Sequence, residues 1–336
     1  FIYSIMKKLK LTCAHAIVKH LIAQKILIDG KKQPLFPGVF GIFGHGNVAC
    51  LGQALEENKD KLPTYRGHHE QNMALTGVAY SRAKRRKQIF IATSSVGPGS
   101  TNLLTAAAVA MSNRIPILFL PGDTYANRIP DPVLQQVEHF NNPGITANDA
   151  FKSVTRYFDR ITRPEQILQS LPQAIQLMID PADAGPACLS LCQDTQGETF
   201  DYPEEFFKER VHNIRRPKPD DFEIKKAAEK IKSCKNPIII SGGGVFYSDA
   251  MEELGNFAIK HNIPVTQTVM GYSTMKRDHS HFLGPIGGLG GKAANNFAKK
   301  TDLAIAVGTK LADFTTGSWA NFENPDFGLV SLNITR

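Results

Sequence analysis

The chain has 336 residues, of which 42% are hydrophobic and 21% charged, and its formal net charge at pH 7 is +8. This length gives room for about two domains with buried cores. The composition is that of a folded globular protein and excludes a disordered or fibrous one. No apolar run approaches the roughly 18 residues that a membrane span needs.

The cysteines and the basic residues indicate the redox state of the thiols and which kinds of partner to expect. Five cysteines are scattered along the chain, which predicts reduced thiols in a cytoplasmic enzyme instead of a disulfide framework or a zinc site. The basic run at 82–87 follows a predicted helix and precedes an apolar strand, without interleaved aromatic residues. That context favours a solvated helix end, so we expect neither a nucleic-acid nor a membrane partner.

Helix and strand patterns alternate through the first 200 residues, which predicts a parallel α/β sheet. The predicted helices lie at 12–25, 51–55, 70–80, 103–111 and 164–180. The predicted strands lie at 38–43, 62–65, 88–95, 115–120 and 187–192. Loops 44–47, 96–102 and 121–128 each follow a strand, and ligands of open α/β sheets bind at the carboxyl ends of the strands.

A second alternation follows a polar, proline-containing stretch at 201–219, which is typical of a linker. Helices are predicted at 221–233, 249–261 and 292–299, and strands at 237–241, 263–268, 303–308 and 330–336. The glycine run 242–244 does not complete a dinucleotide-binding spacing, so a close helix–strand turn is favoured over a nucleotide loop. The fold class is therefore α/β, with two doubly wound parallel-sheet domains at 1–200 and 220–336.

Residues 66–73, which read Arg-Gly-His-His-Glu-Gln-Asn-Met, place Glu70 in the first turn of a predicted helix. A carboxylate there either complements the helix N-terminus or shares a proton with a ring nitrogen of a ligand. The segment alone leaves both readings open. His45, His68 and His69 lack carboxylates or cysteines at ligand spacing, so no metal site is predicted, and hydrogen bonding or proton transfer beside a polar substrate is favoured.

The segment 96–102 offers a second candidate binding element. Gly97-Pro98-Gly99 lets the backbone approach a flat ligand closely, and Asn102 can both donate and accept a hydrogen bond. A tight strand-to-helix connection without a ligand is the alternative. The sequence contains no P-loop, zinc-protease or nucleophile-elbow motif, which argues against those three chemistries.

Together these pieces resemble the thiamine-diphosphate-dependent enzymes of the acetolactate synthase superfamily. The segments that carry this resemblance are 38–47, 69–71, 97–102 and 302–308. Within the superfamily the chain is most similar to a branch that hydrolyses a cyclic polyol dione in inositol catabolism, through the segments 40–49, 94–99, 130–138 and 314–319. The resemblance implies a pyrimidine-binding domain up to about residue 200 and a non-catalytic, Rossmann-like central domain after it.

The resemblance also implies roles for single residues. Glu70 would hydrogen-bond the aminopyrimidine ring of thiamine diphosphate and promote its activation. The implied cofactor contacts are Glu70, Gly97, Pro98, Gly99 and Asn102, and the implied substrate contacts are His45, Asn47 and His69. The implied reaction breaks the bond between two carbonyls of the dione, with the cofactor as electron sink and water completing the hydrolysis to 5-deoxy-D-glucuronate.

One departure from the family pattern limits what this chain is expected to do alone. Members carry a third domain that binds Mg²⁺ and the diphosphate through a Gly-Asp-Gly motif with a downstream Asn, and no Gly-Asp-Gly occurs here. The chain is thus expected to be an incomplete, inactive portion of a homodimeric or homotetrameric enzyme. The alternatives are an acetolactate-synthase-like carboligase or decarboxylase, and a non-catalytic binding or scaffold remnant.

Overall fold

The computed structural model describes residues 7–137 and 139–335, which divide into two compact units, Phe1–Arg215 and Arg216–Arg336. Residues 1–6 and 336, the ends of the predicted domains, lie outside the described residues, as does Glu138 of the segment 130–138. In the described ranges, none of the helices combines the length and the apolar character needed to cross a bilayer.

The first unit contains twelve strands and six α-helices within the described residues. The strands are β1 (Lys8–Thr12), β2 (Gln24–Ile28), β3 (Lys31–Pro34), β4 (Val39–Ile42), β5 (Thr64–Arg66), β6 (Ile91–Ser94), β7 (Leu118–Phe119), β8 (Gly122–Asp123), β9 (Tyr157–Ile161), β10 (Ala187–Cys192), β11 (Thr199–Pro203) and β12 (Arg210–His212). The helices are α1 (Cys13–Ala23), α2 (Gln53–Glu56), α3 (Glu70–Ala83), α4 (Pro98–Thr101), α5 (Leu104–Asn113) and α6 (Ile167–Ile179).

A seven-stranded sheet forms the centre of this unit, in the order β5-β4-β6-β7-β10-β8 with β9 against the other side of β10. All of its pairs are parallel. Every residue of β6 and β10 is buried, as expected for central strands covered on both faces. The parallel arrangement brings the loops after β4, β6 and β8 to one edge, and it confirms the predicted fold class.

Two small sheets, which the sequence did not predict, tie the end of the first unit to its beginning. Strand β11 pairs antiparallel with β1, and β12 pairs with β2, which in turn pairs antiparallel with β3. In the stretch predicted as a linker, 201–219, residues up to 212 therefore include strand residues and a short 3-10 turn at Glu204–Phe207. Residues 213–220 carry neither helix nor strand.

The second unit is a five-stranded parallel sheet in the order β15-β14-β13-β16-β17. Its strands are β13 (Pro237–Ser241), β14 (Val265–Gln267), β15 (Phe282–Pro285), β16 (Leu303–Val307) and β17 (Gly328–Leu332). Its helices are α7 (Asp221–Ser233), α8 (Gly243–Tyr247), α9 (Met251–His261), α10 (Lys292–Lys300) and α11 (Asp313–Thr316). Ile239 belongs to one hydrophobic cluster, and its neighbours Ile238 and Ile240 belong to another. Alternate side chains of β13 are therefore buried on opposite faces of the sheet.

The glycine run after β13 forms a close turn, which is the reading that the sequence favoured. Gly242 N donates to Val307 O at 2.8 Å, and Gly244 N donates to Gly308 O at 2.8 Å. Both amides are thus bonded to the end of β16 and the residue after it. Their N–H groups are therefore committed to backbone carbonyls.

A buried polar network joins α1 to the segment that returns from β11. The His20 ring stacks on Phe206 at 4.0 Å, and its Nδ1 donates to Phe206 O at 2.6 Å. Gln24 Nε2 donates to His20 Nε2 at 3.3 Å, and Gln24 Oε1 accepts from His212 Nε2 at 2.9 Å. Both imidazoles are satisfied in their neutral forms, and burial lowers the pKa of His20 and of His212 to about 4.

The two buried histidines predict acid sensitivity of the first unit. Their pKa values in the fold lie below the ordinary 6.5, so the unfolded chain binds more protons as the pH falls from 6.5 to 4. The stabilisation is complete above pH 6.5 and is lost as the pH falls towards 4, by up to roughly 1.4 kcal/mol per pH unit for each histidine. Hydrogen exchange of α1 and β12 peptides between pH 7 and pH 4.5 measures this opening free energy.

The variants His20→Leu and His212→Leu should each flatten this pH dependence. His68→Gln, at an exposed histidine, is the matched control and should keep the wild-type slope. An unchanged slope in both buried variants would contradict the assignment of the acid sensitivity to this network.

Candidate functional site

The loops after β4 and β6 lie against each other at the carboxyl edge of the first sheet. A Cβ placed on Gly44 would lie 2.4 Å from Ser95 Oγ, so only glycine fits there without moving Ser95. Asn47 Nδ2 donates to Thr93 Oγ1 at 2.9 Å and to Ser94 O at 2.8 Å. Thr93 Oγ1 in turn donates to Leu120 O at 2.7 Å. These hydrogen bonds tie the loop after β4 to strand β6 and to the segment between β7 and β8.

Glu70 is the first residue of α3, in the first helical turn as predicted. His69 caps the helix: its backbone is extended, and its Nδ1 accepts from Gln71 N at 3.2 Å. Met73, Ala74, Gly77 and Val78 recur at helical spacing and are the apolar face that α3 buries. The Glu70 side chain is half-buried, and a carboxylate at this end complements the partial positive charge of the helix N-terminus.

A hydrogen bond joins Glu70 to the loop that follows β6. Asn102 Nδ2 donates to Glu70 Oε2 at 3.0 Å. The other carboxylate oxygen, Oε1, would lie 3.5 Å from a Cβ placed on Gly99. Oε1 accepts no hydrogen bond from residues 7–137 or 139–335. The structure therefore brings the predicted residues Glu70, Gly99 and Asn102 together, with one carboxylate oxygen left for another donor.

Gly97 makes the turn between β6 and α4. Its φ of 66° and ψ of −120° belong to a region that L side chains rarely adopt, and an added Cβ would lie 1.9 Å from Gln135 O. Pro98 follows at the first helical position, where its missing N–H is no loss. Ser100 Oγ and Thr101 N both bond to Gly97 O, at 2.9 and 3.0 Å. These two bonds tie the turn to the start of α4.

The predicted substrate contacts His45, Asn47 and His69 have different surroundings. Asn47 is buried, and its Oδ1 accepts from Gly44 N at 3.1 Å in addition to the two bonds that its amide donates. His69 is exposed and caps α3. His45 Nε2 is buried but finds no partner in the part of the chain that the structure describes.

Two residues that the sequence did not single out adjoin the segment 44–45, Gln193 at His45 and Ser95 at Gly44. Gln193 Nε2 donates to His45 O at 2.8 Å, and its Oε1 is buried without a partner among the described residues. Ser95 Oγ, against Gly44, is buried and likewise without a partner in those ranges. Ser95 and Gln193 each directly follow a fully buried strand, β6 and β10. A polar residue at that position is the signal that could have identified them.

Asp123, the last residue of β8, belongs to a buried ion pair. It is 1% exposed, and Arg160 Nε donates to its Oδ2 at 2.8 Å. Arg160 also bonds Asp149 Oδ2 at 2.8 Å. Burial opposes ionisation of Asp149, but hydrogen bonds from Lys152, Thr146 N and Arg160 outweigh it and hold the pKa of Asp149 at about 2. No group of three or more His, Cys, Asp or Glu able to hold a metal occurs in the described ranges.

Two protein-family models match the chain. "Thiamine pyrophosphate enzyme, N-terminal TPP binding domain" covers residues 25–142, and "Thiamine pyrophosphate enzyme, central domain" covers residues 224–336. The first match includes α3, the loops after β4 and β6, and most of the loop after β8. Thiamine pyrophosphate and thiamine diphosphate are the same compound.

Curated relatives match over nearly the whole chain. The chain is 49% identical over 330 residues to "3D-(3,5/4)-trihydroxycyclohexane-1,2-dione hydrolase" of Clostridium tetani, covering 98% of this chain and 51% of the relative. It is 48% identical over 330 residues to the protein of the same name from Listeria monocytogenes, covering 98% and 52%. The chain spans about half the length of the curated relatives that it matches. It belongs to the thiamine pyrophosphate enzymes, with their N-terminal and central domains.

Proposed function

We propose that the full-length protein is a thiamine-diphosphate-dependent hydrolase that cleaves the bond between the two carbonyls of 3D-(3,5/4)-trihydroxycyclohexane-1,2-dione, giving 5-deoxy-D-glucuronate in myo-inositol catabolism. The names of the relatives support the substrate. The observation that carries the proposal is the Glu70 carboxylate, held through Oε2 by Asn102 and open at Oε1 beside Gly99. The activity is proposed for the whole protein because the chain spans half of those relatives.

The residues at the carboxyl edge fit the pyrimidine half of the cofactor. Because Gly99 carries no side chain, a flat ring would be able to approach its backbone beside Glu70 Oε1, and the Gly97-Pro98 turn holds that backbone in place. Glu70 would bond a ring nitrogen and hold or release a proton there, which is the role of a general acid or base. When bound, the cofactor supplies the electron sink that carbon–carbon cleavage requires.

Other side chains position the substrate or the loops. We assign His45 to substrate contact, because its Nε2 is buried without a partner in the described ranges. His69 stands one residue before Glu70 and is assigned to the same end of the site. Asn47 was predicted as a substrate contact, but its amide is engaged by Gly44, Thr93 and Ser94, so we assign it to holding the loop.

The remaining parts of the enzyme follow from this assignment. We propose residues 1–200 as the main part of the pyrimidine-binding domain and 220–336 as the central domain. Within the connection 201–219, the residues up to 212 complete the first of these domains, because they include strand residues that pair with β1 and β2. Mg²⁺ and the diphosphate would be held by a C-terminal domain of the full-length protein, across the interface of a homodimer or homotetramer. The proposed location is cytoplasmic.

Glu70→Gln in the full-length protein should lower the rate of dione hydrolysis by a factor on the order of 100 or more, because the amide cannot exchange a proton with the ring nitrogen. The fold should persist, since a Gln oxygen still accepts from Asn102. Steady-state kinetics and circular dichroism measure the two effects.

Glu56→Gln, at an exposed carboxylate of α2, is the matched control and should leave the rate unchanged. Near-normal turnover of the Glu70 variant would refute the assigned role. A panel with pyruvate beside the dione separates the alternatives: turnover of pyruvate alone would favour a carboligase or decarboxylase, and turnover of neither would favour a non-catalytic protein.

Gly97→Ala should destabilise the loop after β6 by more than about 1 kcal/mol, because it forces a side chain into a positive φ and onto Gln135 O. Urea unfolding measures the loss. Gly144→Ala is the control, since a Cβ there would meet only Asn142 Oδ1 at 3.6 Å. Equal stability of the two variants would show that the turn can relax.

The 336-residue chain by itself should bind thiamine diphosphate with Mg²⁺ only weakly, with a Kd above about 1 mM, or roughly −4 kcal/mol. The reason is that the described residues offer contacts to the pyrimidine but no metal-binding cluster for the diphosphate end. Titration calorimetry on this chain and on the full-length protein makes the comparison. Tight binding by the chain alone would contradict the need for a further domain.

A further inference from the structure

We propose that Ser95 Oγ, Gln193 Oε1 and His45 Nε2 form a polar cluster that binds the hydroxyl groups of the substrate ring. The inference rests on the proposed function and assigns the hydroxyl recognition to particular atoms. Each of the three atoms is buried and has no hydrogen-bond partner within the described ranges. His45 is part of the segment 44–45, and Ser95 and Gln193 adjoin it.

The cluster is organised around two consecutive residues of the loop after β4. Ser95 Oγ lies 2.4 Å from the position that a Cβ on Gly44 would take. The amide of Gln193 donates to His45 O at 2.8 Å. The backbone of this loop is fixed by Asn47, which accepts from Gly44 N at 3.1 Å. The three residues lie in the segments that follow different parallel strands, β4, β6 and β10, at the carboxyl edge of one sheet.

The cluster adjoins the proposed cofactor site. The position of a Cβ on Gly99 would lie 3.3 Å from Ser95 Cβ and 3.5 Å from Glu70 Oε1. One small empty position therefore touches both Ser95 and the Glu70 carboxylate. A substrate bound against Ser95 would stand next to the ring that Glu70 holds.

The hydrogen-bonding groups of the cluster favour a ligand that offers neutral O–H donors. A buried polar atom without a partner costs about 1–3 kcal/mol, so several at one loop indicate a surface completed by a ligand. Gln193 Nε2 is committed to a carbonyl oxygen, which fixes Oε1 as an acceptor that needs an O–H or N–H donor. A serine hydroxyl and an imidazole can each donate or accept. Such a set suits the hydroxyl groups of a polyol and disfavours the carboxylate of a 2-oxo acid.

Ser95→Ala separates this role from a structural one. Because Ser95 Oγ bonds no described residue in the free protein, its removal should leave the melting temperature of the chain unchanged or raised. In the full-length holoenzyme it should raise the KM for the trihydroxy dione about tenfold, the loss expected for one neutral hydrogen bond. The inhibition constant of cyclohexane-1,2-dione, which lacks the hydroxyls, should stay within about twofold.

Two further variants serve as partner and control. Gln193→Met is the partner variant, and it should weaken binding of the hydroxylated ligand alone, as Ser95→Ala does. Ser81→Ala is the control. It deletes another buried hydroxyl without a partner in the described chain, eleven residues along α3 from Glu70, and it should change the binding of neither ligand. Titration calorimetry with a pentahydroxycyclohexanone, which has no second carbonyl to cleave, gives the same comparison without turnover.

The outcomes are distinguishable. A loss confined to the hydroxylated ligands in Ser95→Ala and Gln193→Met supports the cluster. Equal effects on both dione ligands, no effect, or a wild-type enzyme that binds both equally well would overturn it while leaving the proposed function intact. If the wild-type full-length protein does not turn over the trihydroxy dione at all, the proposed function fails and the cluster assignment fails with it.

Discussion

A single hydrogen bond, from Asn102 Nδ2 to Glu70 Oε2, connects the two helical segments on which the site depends. Glu70 opens the helix after β5, and Asn102 ends the short helix after β6, with β4 between these strands in the sheet. The bond exists because parallel strands deliver their following loops to the same edge. It fixes which carboxylate oxygen is engaged, and it leaves the other oxygen facing the small backbone of Gly99.

The sequence predicted the larger parallel elements well, because buried strands and amphipathic helices carry local patterns. The helix 221–233 and the strands 187–192 and 237–241 have the predicted limits. The strands at the edges of the first unit were missed. β3, which reads Lys-Lys-Gln-Pro, has no apolar pattern, and β1 pairs with β11, almost two hundred residues along the chain. Their pairing is decided by distant residues, so local periodicity does not reveal it.

In the candidate site, too, the residues with a local sequence pattern were predicted and those without one were missed. Glu70, the Gly97–Gly99 turn and Asn102 were predicted because their residue types stand in a recognisable order along the chain. Ser95 and Gln193 were not, since an isolated polar residue after a strand is common. What distinguishes them is that their polar atoms are buried without a partner in the described residues, and this depends on the order of β4, β6, β7 and β10 in the sheet. Asn47 shows the reverse, because its amide is used within the fold.

The return of β11 and β12 to the start of the chain has a practical consequence for dissecting the protein. A fragment cut after residue 200 would lose most of β11 and all of β12, and with them Phe206 and His212. His20 would then lose the Phe206 carbonyl that accepts from its Nδ1, and Gln24 would lose the His212 imidazole that donates to its Oε1. A buried polar group without a partner is costly. An autonomous N-terminal piece therefore has to extend to about Arg215, where the compact unit ends.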